Sequence, residues 1–298
     1  MQTRTAKVGP LGKFVRAATN IFPENHFLQT SRYIVRSQKI PPSFDGFRLV
    51  HLSDLHGCTF GRNNSRLLYK IEEESPEAIM LTGDIADRQM EHYGKLFQFV
   101  KALCAECSVY FVDGNHEEDL SSQKRHQLMN GLRLCGVHLL DNCSAKLEHG
   151  KEFICLSGYR VPLRYYRADG HGKARPQLKA ETVSEALGTC NQQEYHILLA
   201  HNPLFFEAYA AWGADLTLSG HIHGGMIRLP HYGALLSPER SFFPRYSEGI
   251  YRSQEFPERQ MAVSRGLGCG ARINNIPEIV VLTLRHAQEG GTAEPQKG

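Results

Sequence analysis

The chain has 298 residues, 41% of them hydrophobic and 22% charged, an ordinary globular composition long enough for one large α/β domain or two smaller ones. A formal net charge of +3 is too mild to make a polyanion such as duplex DNA the expected main partner, although a local basic patch is compatible with it. Eight cysteines are scattered without the dense spacing of a small disulfide scaffold, and they read as reduced thiols of a cytoplasmic protein.

In chain order, Leu11, Phe14, Val15 and Ala18 fall at helical spacing beside Lys7, Lys13 and Arg16, so residues 1–42 read as a basic amphipathic arm. Such an arm suits peripheral contact with anionic lipid at the inner face of the cell membrane. No apolar stretch reaches the length of about 18 residues needed to span a bilayer, and no apolar core of an export signal follows the first basic residues. From residue 43 short apolar runs alternate with helical patterns, the mark of strands covered by helices.

Residues 47–52, 78–81 and 109–112 read as strands, with helices predicted over 66–74, 91–106 and 121–135, the last ending at Gly136. Cys104 and Cys107 form a C-x-x-C within a helical pattern; with no second pair they read as partly buried helix residues rather than a zinc or redox site. A hairpin over 146–156 turns at His149-Gly150, a polar loop covers 159–175, and a helix is expected over 178–187. Strands at 195–199 and 216–218 flank a helix after Pro203, and short strands at 225–228, 261–264 and 278–284 close the domain at residue 286. Residues 287–298 have the composition of a disordered tail.

Five motifs each follow an apolar strand: Ser53-Asp54-Leu55-His56, Gly83-Asp84, Gly114-Asn115-His116-Glu117, Ala200-His201-Asn202 and Gly220-His221-Ile222-His223. In α/β sheets that place, beyond the carboxyl ends of the strands, is where ligands bind. If strand geometry persisted, Asp54 with His56 and His221 with His223 would each project to one face as a chelating pair. Asp84, with two carboxylate oxygens, is suited to bridge two cations. The donors are oxygen and nitrogen with no thiolate, which favours Mn²⁺, Fe or Zn²⁺. Two such ions, about 3.5–4 Å apart, turn water into a nucleophile and clamp a phosphoryl oxygen, which points to hydrolysis of phosphate esters or anhydrides. Each motif alone recurs by chance; all five in order do not.

The chain resembles the calcineurin-like metallophosphoesterases, whose ordered motifs are D-x-H, G-D, G-N-H-[DE], H and G-H-x-H, over residues 43–286. The resemblance implies a four-layer α/β fold, two packed mixed β-sheets flanked by helices. It implies two divalent metal ions, one held by Asp54, His56, Asp84 and His223, the other by Asp84, Asn115, His201 and His221. His116 would act as general acid or transition-state stabiliser, with Asp84 and Glu117 in the catalytic set. Many relatives carry Asp where Glu117 stands, and Gln where Met226 stands. The stretch from Gly224 to Pro230, with Ser247-Glu248-Gly249 and Gly266-Leu267-Gly268, is similar to a bacterial membrane-associated subgroup that includes lipid-linked phosphodiesterases and UDP-2,3-diacylglucosamine pyrophosphatases.

A phosphodiesterase or pyrophosphatase acting on a small-molecule, lipid-linked or nucleotide-linked phosphate by attack of metal-bound hydroxide is therefore expected. A phosphomonoesterase or a non-catalytic scaffold on the same fold are the alternatives. Arg160 and Arg164, with Arg167, Tyr159, Tyr165 and Tyr166, and Arg265 and Asn274 near glycine-rich turns, are candidate substrate contacts. The chain lacks H-E-x-x-H, H-x-E with P-C-x-x-C, and G-x-S-x-G, which excludes the zinc peptidase, deaminase and serine hydrolase classes by motif.

Overall fold

The computed structural model describes residues 27–166, 176–229, 232–236, 242–268 and 272–288. Two six-stranded mixed sheets pack face to face. The first has the order β1 (Gln29–Ser37), β14 (Glu278–His286), β2 (Arg48–Leu52), β3 (Ala78–Leu81), β4 (Ser108–Phe111) and β5 (His138–Leu139). The second runs β12 (Gly249–Arg252), β13 (Gln260–Val263), β9 (Leu216–Ser219), β8 (His196–Leu199), β7 (Glu152–Gly158) and β6 (Cys143–His149).

Strands β2 to β5 are parallel, as are β13, β9, β8 and β7, so each sheet has a parallel centre. Parallel strands need crossover helices, and these make the outer layers. Helices Ser65–Glu73, Gly94–Glu106 and Ser122–Cys135 cover the first sheet, while Ala180–Leu187 and Phe206–Trp212 cover the second. The period of two in β2 shows the layering: Leu49 enters the core between the sheets with Ile197 and Leu218, whereas Val50 and Leu52 face the helices with Leu103 and Leu132. Truncating a side chain as enclosed as Leu103 to alanine would cost about 2–5 kcal/mol.

The helix ends follow local chemistry. Ser121 caps Ser122–Cys135 by accepting from the Lys124 amide, and Gly136 closes it at φ 99°. Cys104, inside its helix, and Cys107, the extended residue that ends that helix, pack against the core under the first sheet, and both thiols are free.

The boundary at residue 42 is corrected. Residues 29–37, placed in the arm, form the edge strand β1 and pair in parallel with β14 from Gln29↔Glu278 to Ser37↔His286. Only Val35 of that strand is buried, and its polar outward residues, among them Arg32 bound to Glu74, hide the pattern. Strands β5, β12 and the hairpin partner β11 (Gly233–Leu236) of β10 (Ile227–Leu229) were also missed; each has four residues or fewer. The amphipathic spacing at 11–18, Arg167 and most of the 287–298 tail lie outside the described residues. Among the described residues no helix is long and apolar enough to cross a membrane.

Candidate active site

The parallel strands of both sheets deliver their carboxyl ends to one edge. β2, β3 and β4 lead to Asp54, Asp84 and Asn115; β8 and β9 lead to His201 and His221. The two sheets are stitched there by His201, whose Nδ1 lies 2.6 Å from the Thr82 carbonyl after β3. A donor proton on Nδ1 leaves Nε2 as the free lone pair, directed at the carboxylates.

Strand geometry does not persist through the motifs, contrary to the expectation. Asp54, His56, Asp84, His221 and His223 all have φ between 48° and 70°, in the left-handed region. Each such residue costs about 1–2 kcal/mol. Tertiary hydrogen bonds hold them: the Asp54 amide donates to the Gly83 carbonyl at 3.0 Å and the His56 amide to the Asp84 carbonyl at 2.9 Å. The chelating side chains converge because successive turns curl around one point, not because alternate residues share a pleat. The motif glycines permit that crowding, since a Cβ on Gly83 would strike the Gly114 backbone and one on Gly220 would strike Ser53 and Asp54.

Three donor groups result, Asp54 with His56 and His223, Asp84 with His201 and His221, and at the rim His56 with Asp87 and His116, the ligand atoms within each lying within 4.8 Å of one another. His223 Nε2 is 3.2 Å from Asp54 Oδ1, and the Nε2 atoms of His56 and His223 face each other at 3.3 Å. His201 Nε2 is 3.2 Å from Asp84 Oδ2 and 3.7 Å from Asp54 Oδ1, joining the first two groups. Asp54, Asp84 and His201 are 0–1% exposed, and among the described residues the buried Asn115 Oδ1 and His201 Nε2 lack a well-formed hydrogen bond. Buried lone pairs of nitrogen and oxygen converging without partners are costly by themselves and fit a pair of cations. The donor set suits divalent Mn, Fe or Zn.

The electrostatics agree. Burial opposes charge on His201, yet Asp84 and Asp54 outweigh it and lift its pKa to about 10. Burial pushes His56 down to about 3 in spite of Asp84. Burial alone would raise Asp84; His201 and His116 pull it well below the usual carboxylate range. In the metal-free protein the charge of Asp84 and Asp54 is thus balanced in part by a proton on His201, which a bound cation would displace.

His116 stands at the rim of this cluster. Its amide donates to Asp84 Oδ1 at 2.7 Å, and its ring meets His56 edge-on with centroids 4.5 Å apart. Burial lowers its pKa.

Glu117 plays a different part from the one expected. It is fully buried and accepts from the amides of Asp84 (2.7 Å), Gly114 (2.9 Å) and Ala86 (3.0 Å), so it fixes two motif turns and is a positioning residue. Burial, followed by the charge of Asp84, raises its carboxyl to about 8.

Of the candidate substrate contacts, Arg160 is bound to Asp141 (3.0 Å) and Glu118 (3.5 Å), beside the His116 turn. Arg164 lies over the Tyr165 ring. Arg265 is 7% exposed and held by Glu248 (3.0 Å) and Glu278 (3.3 Å), behind the His223 turn. Asn274 is exposed and donates to the Arg228 carbonyl. None of the four reaches the donor cluster as a free group.

Tyr166 does approach it. Its ring is 4.9 Å from His221, and its hydroxyl is buried without a partner among the described residues. Sequence reasoning grouped it with Tyr159 and Tyr165 and had no signal to single it out. It missed Asp87, which stands 3.9 Å from His116 Nδ1, and Thr82, whose hydroxyl is 2.7 Å from His51 Nε2. Only the position of Thr82 one residue before Gly83-Asp84 offered a clue.

Two packed sheets presenting seven nitrogen and oxygen donors at a common edge define a metal-dependent phosphoesterase. The chain belongs to the calcineurin-like phosphoesterase family, whose model matches residues 47–225. It is 27% identical over 274 residues to the uncharacterized metallophosphoesterase YkuE of Bacillus subtilis, covering 88% of this chain and 87% of that protein. It is 29% identical to phosphodiesterase YaeI of Escherichia coli, covering 80% and 82% respectively. A transmembrane protein with metallophosphoesterase domain from Danio rerio is 30% identical over 84% of this chain, which spans 56% of that relative's length. Among solved structures a dimetal phosphatase from Danio rerio superposes with a TM-score of 0.40 at 12% identity, over 75% of this chain and 88% of its own.

Proposed function

We propose that the chain hydrolyses a phosphodiester or pyrophosphate bond in a lipid-linked or nucleotide-linked small molecule, using two divalent cations. The observation that carries this is the pair of three-residue donor groups joined through His201, with His116 at their rim. Asp54, His56, Asp84 and His223 would hold one ion, and Asp84, Asn115, His201 and His221 the other. When bound, such a pair lowers the pKa of water and withdraws charge from phosphoryl oxygens. His116 is the acid that gives a proton to the leaving oxygen, and its ring, held by its own backbone against Asp84, is aimed by the Gly114 turn. The partnerless Tyr166 hydroxyl supplies a donor to the substrate beside His221.

The likeness to a protein named as a phosphodiesterase favours a diester over a monoester. Exposed Leu229, Tyr232, Phe242, Phe243 and Ile273 cluster on and beside the β10–β11 hairpin that follows the His223 turn, which favours a substrate with an apolar chain. Complete ligand positions and His116 speak against a non-catalytic scaffold.

The test is hydrolysis, with Mn²⁺ added, of UDP-diacylglucosamine, glycerophosphodiesters, cyclic nucleotides and nucleoside pyrophosphates, with bis-p-nitrophenyl and p-nitrophenyl phosphate as reference compounds. Preference for p-nitrophenyl phosphate over every diester and anhydride would refute the reading. The proposed domain organisation adds a membrane-contacting arm before β1; liposome flotation of the full chain against one lacking residues 1–26 tests it, and equal soluble recovery ends it.

A further inference from the structure

A second group of ligand-type side chains lies at the opposite edge of the second sheet, where β8 begins. Cys155 of β7 and His196 of β8 are register partners, and both point to the helix-covered face, since Ile154, Leu156 and Ile197 beside them enter the core between the sheets. Glu194, in the turn before β8, reaches over them. Cys155 Sγ donates to Glu194 Oε2 at 2.9 Å, and the same oxygen is 3.9 Å from His196 Nε2.

His196 is 7% exposed; the charges of Asp215, Lys39 and Glu194, the Asn191 backbone and the edge-on Trp212 ring, 5.9 Å away, surround it, and among the described residues neither ring nitrogen has a well-formed hydrogen bond. A buried imidazole left so costs about 1–3 kcal/mol unless something completes it.

Sulfur, nitrogen and oxygen from three residues lie within 4.8 Å of one another here. Zinc bonds of about 2.0–2.3 Å at tetrahedral angles put ligand atoms about 3.3–3.8 Å apart. The two contacts of Glu194 Oε2, 2.9 and 3.9 Å, straddle that spacing.

We propose that Cys155, Glu194 and His196 form a mononuclear site for a zinc-class divalent cation, with a fourth position open to water, separate from the phosphoesterase centre. Cys155 and Glu194 are only partly buried, so an ion has access. Binding displaces the Cys155 proton to solvent and replaces the thiol–carboxylate hydrogen bond by two metal bonds, tying β7 and β8 to the turn at residues 188–194. The thiolate selects Zn²⁺ or Co²⁺ over Mg²⁺ or Mn²⁺.

The site is independent of the proposed hydrolysis, and cobalt distinguishes the two, because no cysteine belongs to the phosphoesterase donors. The reduced full-length protein titrated with Co²⁺ should develop thiolate-to-cobalt charge-transfer absorption and bind a single equivalent more than Cys155→Ser. Cys155→Ser and His196→Gln should lose that absorption and keep diester hydrolysis, which also reports that they fold. Glu194→Gln, at a partly exposed position, should weaken the thiolate-linked binding by about 10-fold or more. Absence of the band in the wild-type chain, or its survival in Cys155→Ser, overturns the proposal.

Discussion

Glu117 holds Asp84 by its backbone: Oε2 accepts the Asp84 amide at 2.7 Å and, from the neighbouring turn, the Gly114 amide at 2.9 Å, while Oε1 takes Ala86. One buried carboxylate thus sets the separation of two motifs. Glu117→Gln keeps the size but presents an NH₂ group to a backbone N–H, leaving a buried donor without an acceptor. Stability should fall by about 1–3 kcal/mol in denaturant titrations, and cation affinity by about 10–100-fold. An unchanged midpoint together with unchanged affinity would remove Glu117 from the positioning role.

Asp84 is the residue on which both donor groups lean. Its Oδ2 lies 3.2 Å from His201 and 3.9 Å from His56, and its Oδ1 takes the His116 amide. Asp84→Asn should lose cation loading and activity together, with turnover down about 10³-fold or more. Elemental analysis beside kinetics checks this, and a fully active variant refutes the proposed centre.

His116→Ala should behave differently, because the ring belongs only to the rim group with His56 and Asp87 and to neither group built on Asp54 or Asp84. Turnover on a diester with a poor leaving group is expected to drop by about 10²–10⁴-fold, with both ions retained. Loss of metal along with activity would instead make His116 a ligand.

Removal of the Tyr166 hydroxyl, in Tyr166→Phe, tests the donor beside His221. Since the hydroxyl has no partner among the described residues, stability should hold while kcat/KM falls by about 10-fold, the scale of one hydrogen bond to substrate. Equal kinetics for the two proteins would show that the hydroxyl makes no substrate contact.

His51 gives the metal-free protein a pH signature. It is fully buried on β2, its Nε2 2.7 Å from Thr82 Oγ1, and burial depresses its pKa from 6.5 to about 3 against the pull of Asp54. The unfolded chain therefore binds the proton first as pH falls. Its stabilising contribution is complete above pH 6.5 and is lost progressively toward pH 3, amounting to a few kcal/mol. His51→Gln should flatten the melting temperature profile across that interval; an identical slope in both proteins would contradict the assignment.

Much of the architecture was legible because burial imposes a period. The runs at 78–81 and 216–218 are strands, and the helix expected over 121–135 begins at Ser122 behind its serine cap. Strand β1 was not legible, since an edge strand with one buried residue, Val35, carries no apolar alternation. The same limit hid the role of Glu117. Its neighbour in sequence, His116, suggested catalysis, but the Glu117 carboxyl group turns inward to three amides from two separate turns.

The sequence by itself determined which atoms are available: oxygen and nitrogen donors at five strand ends, with thiols elsewhere, and hence the chemistry of a metal-dependent phosphoesterase. Only the tertiary structure decided how they meet. Left-handed turns at Asp54, Asp84 and His223 are unfavourable in an isolated chain, and they persist because hydrogen bonds and glycine contacts from distant strands over-determine them. The Cys155, Glu194 and His196 grouping has the same origin, since parallel pairing of β7 with β8 unites residues that are 39 and 41 positions apart.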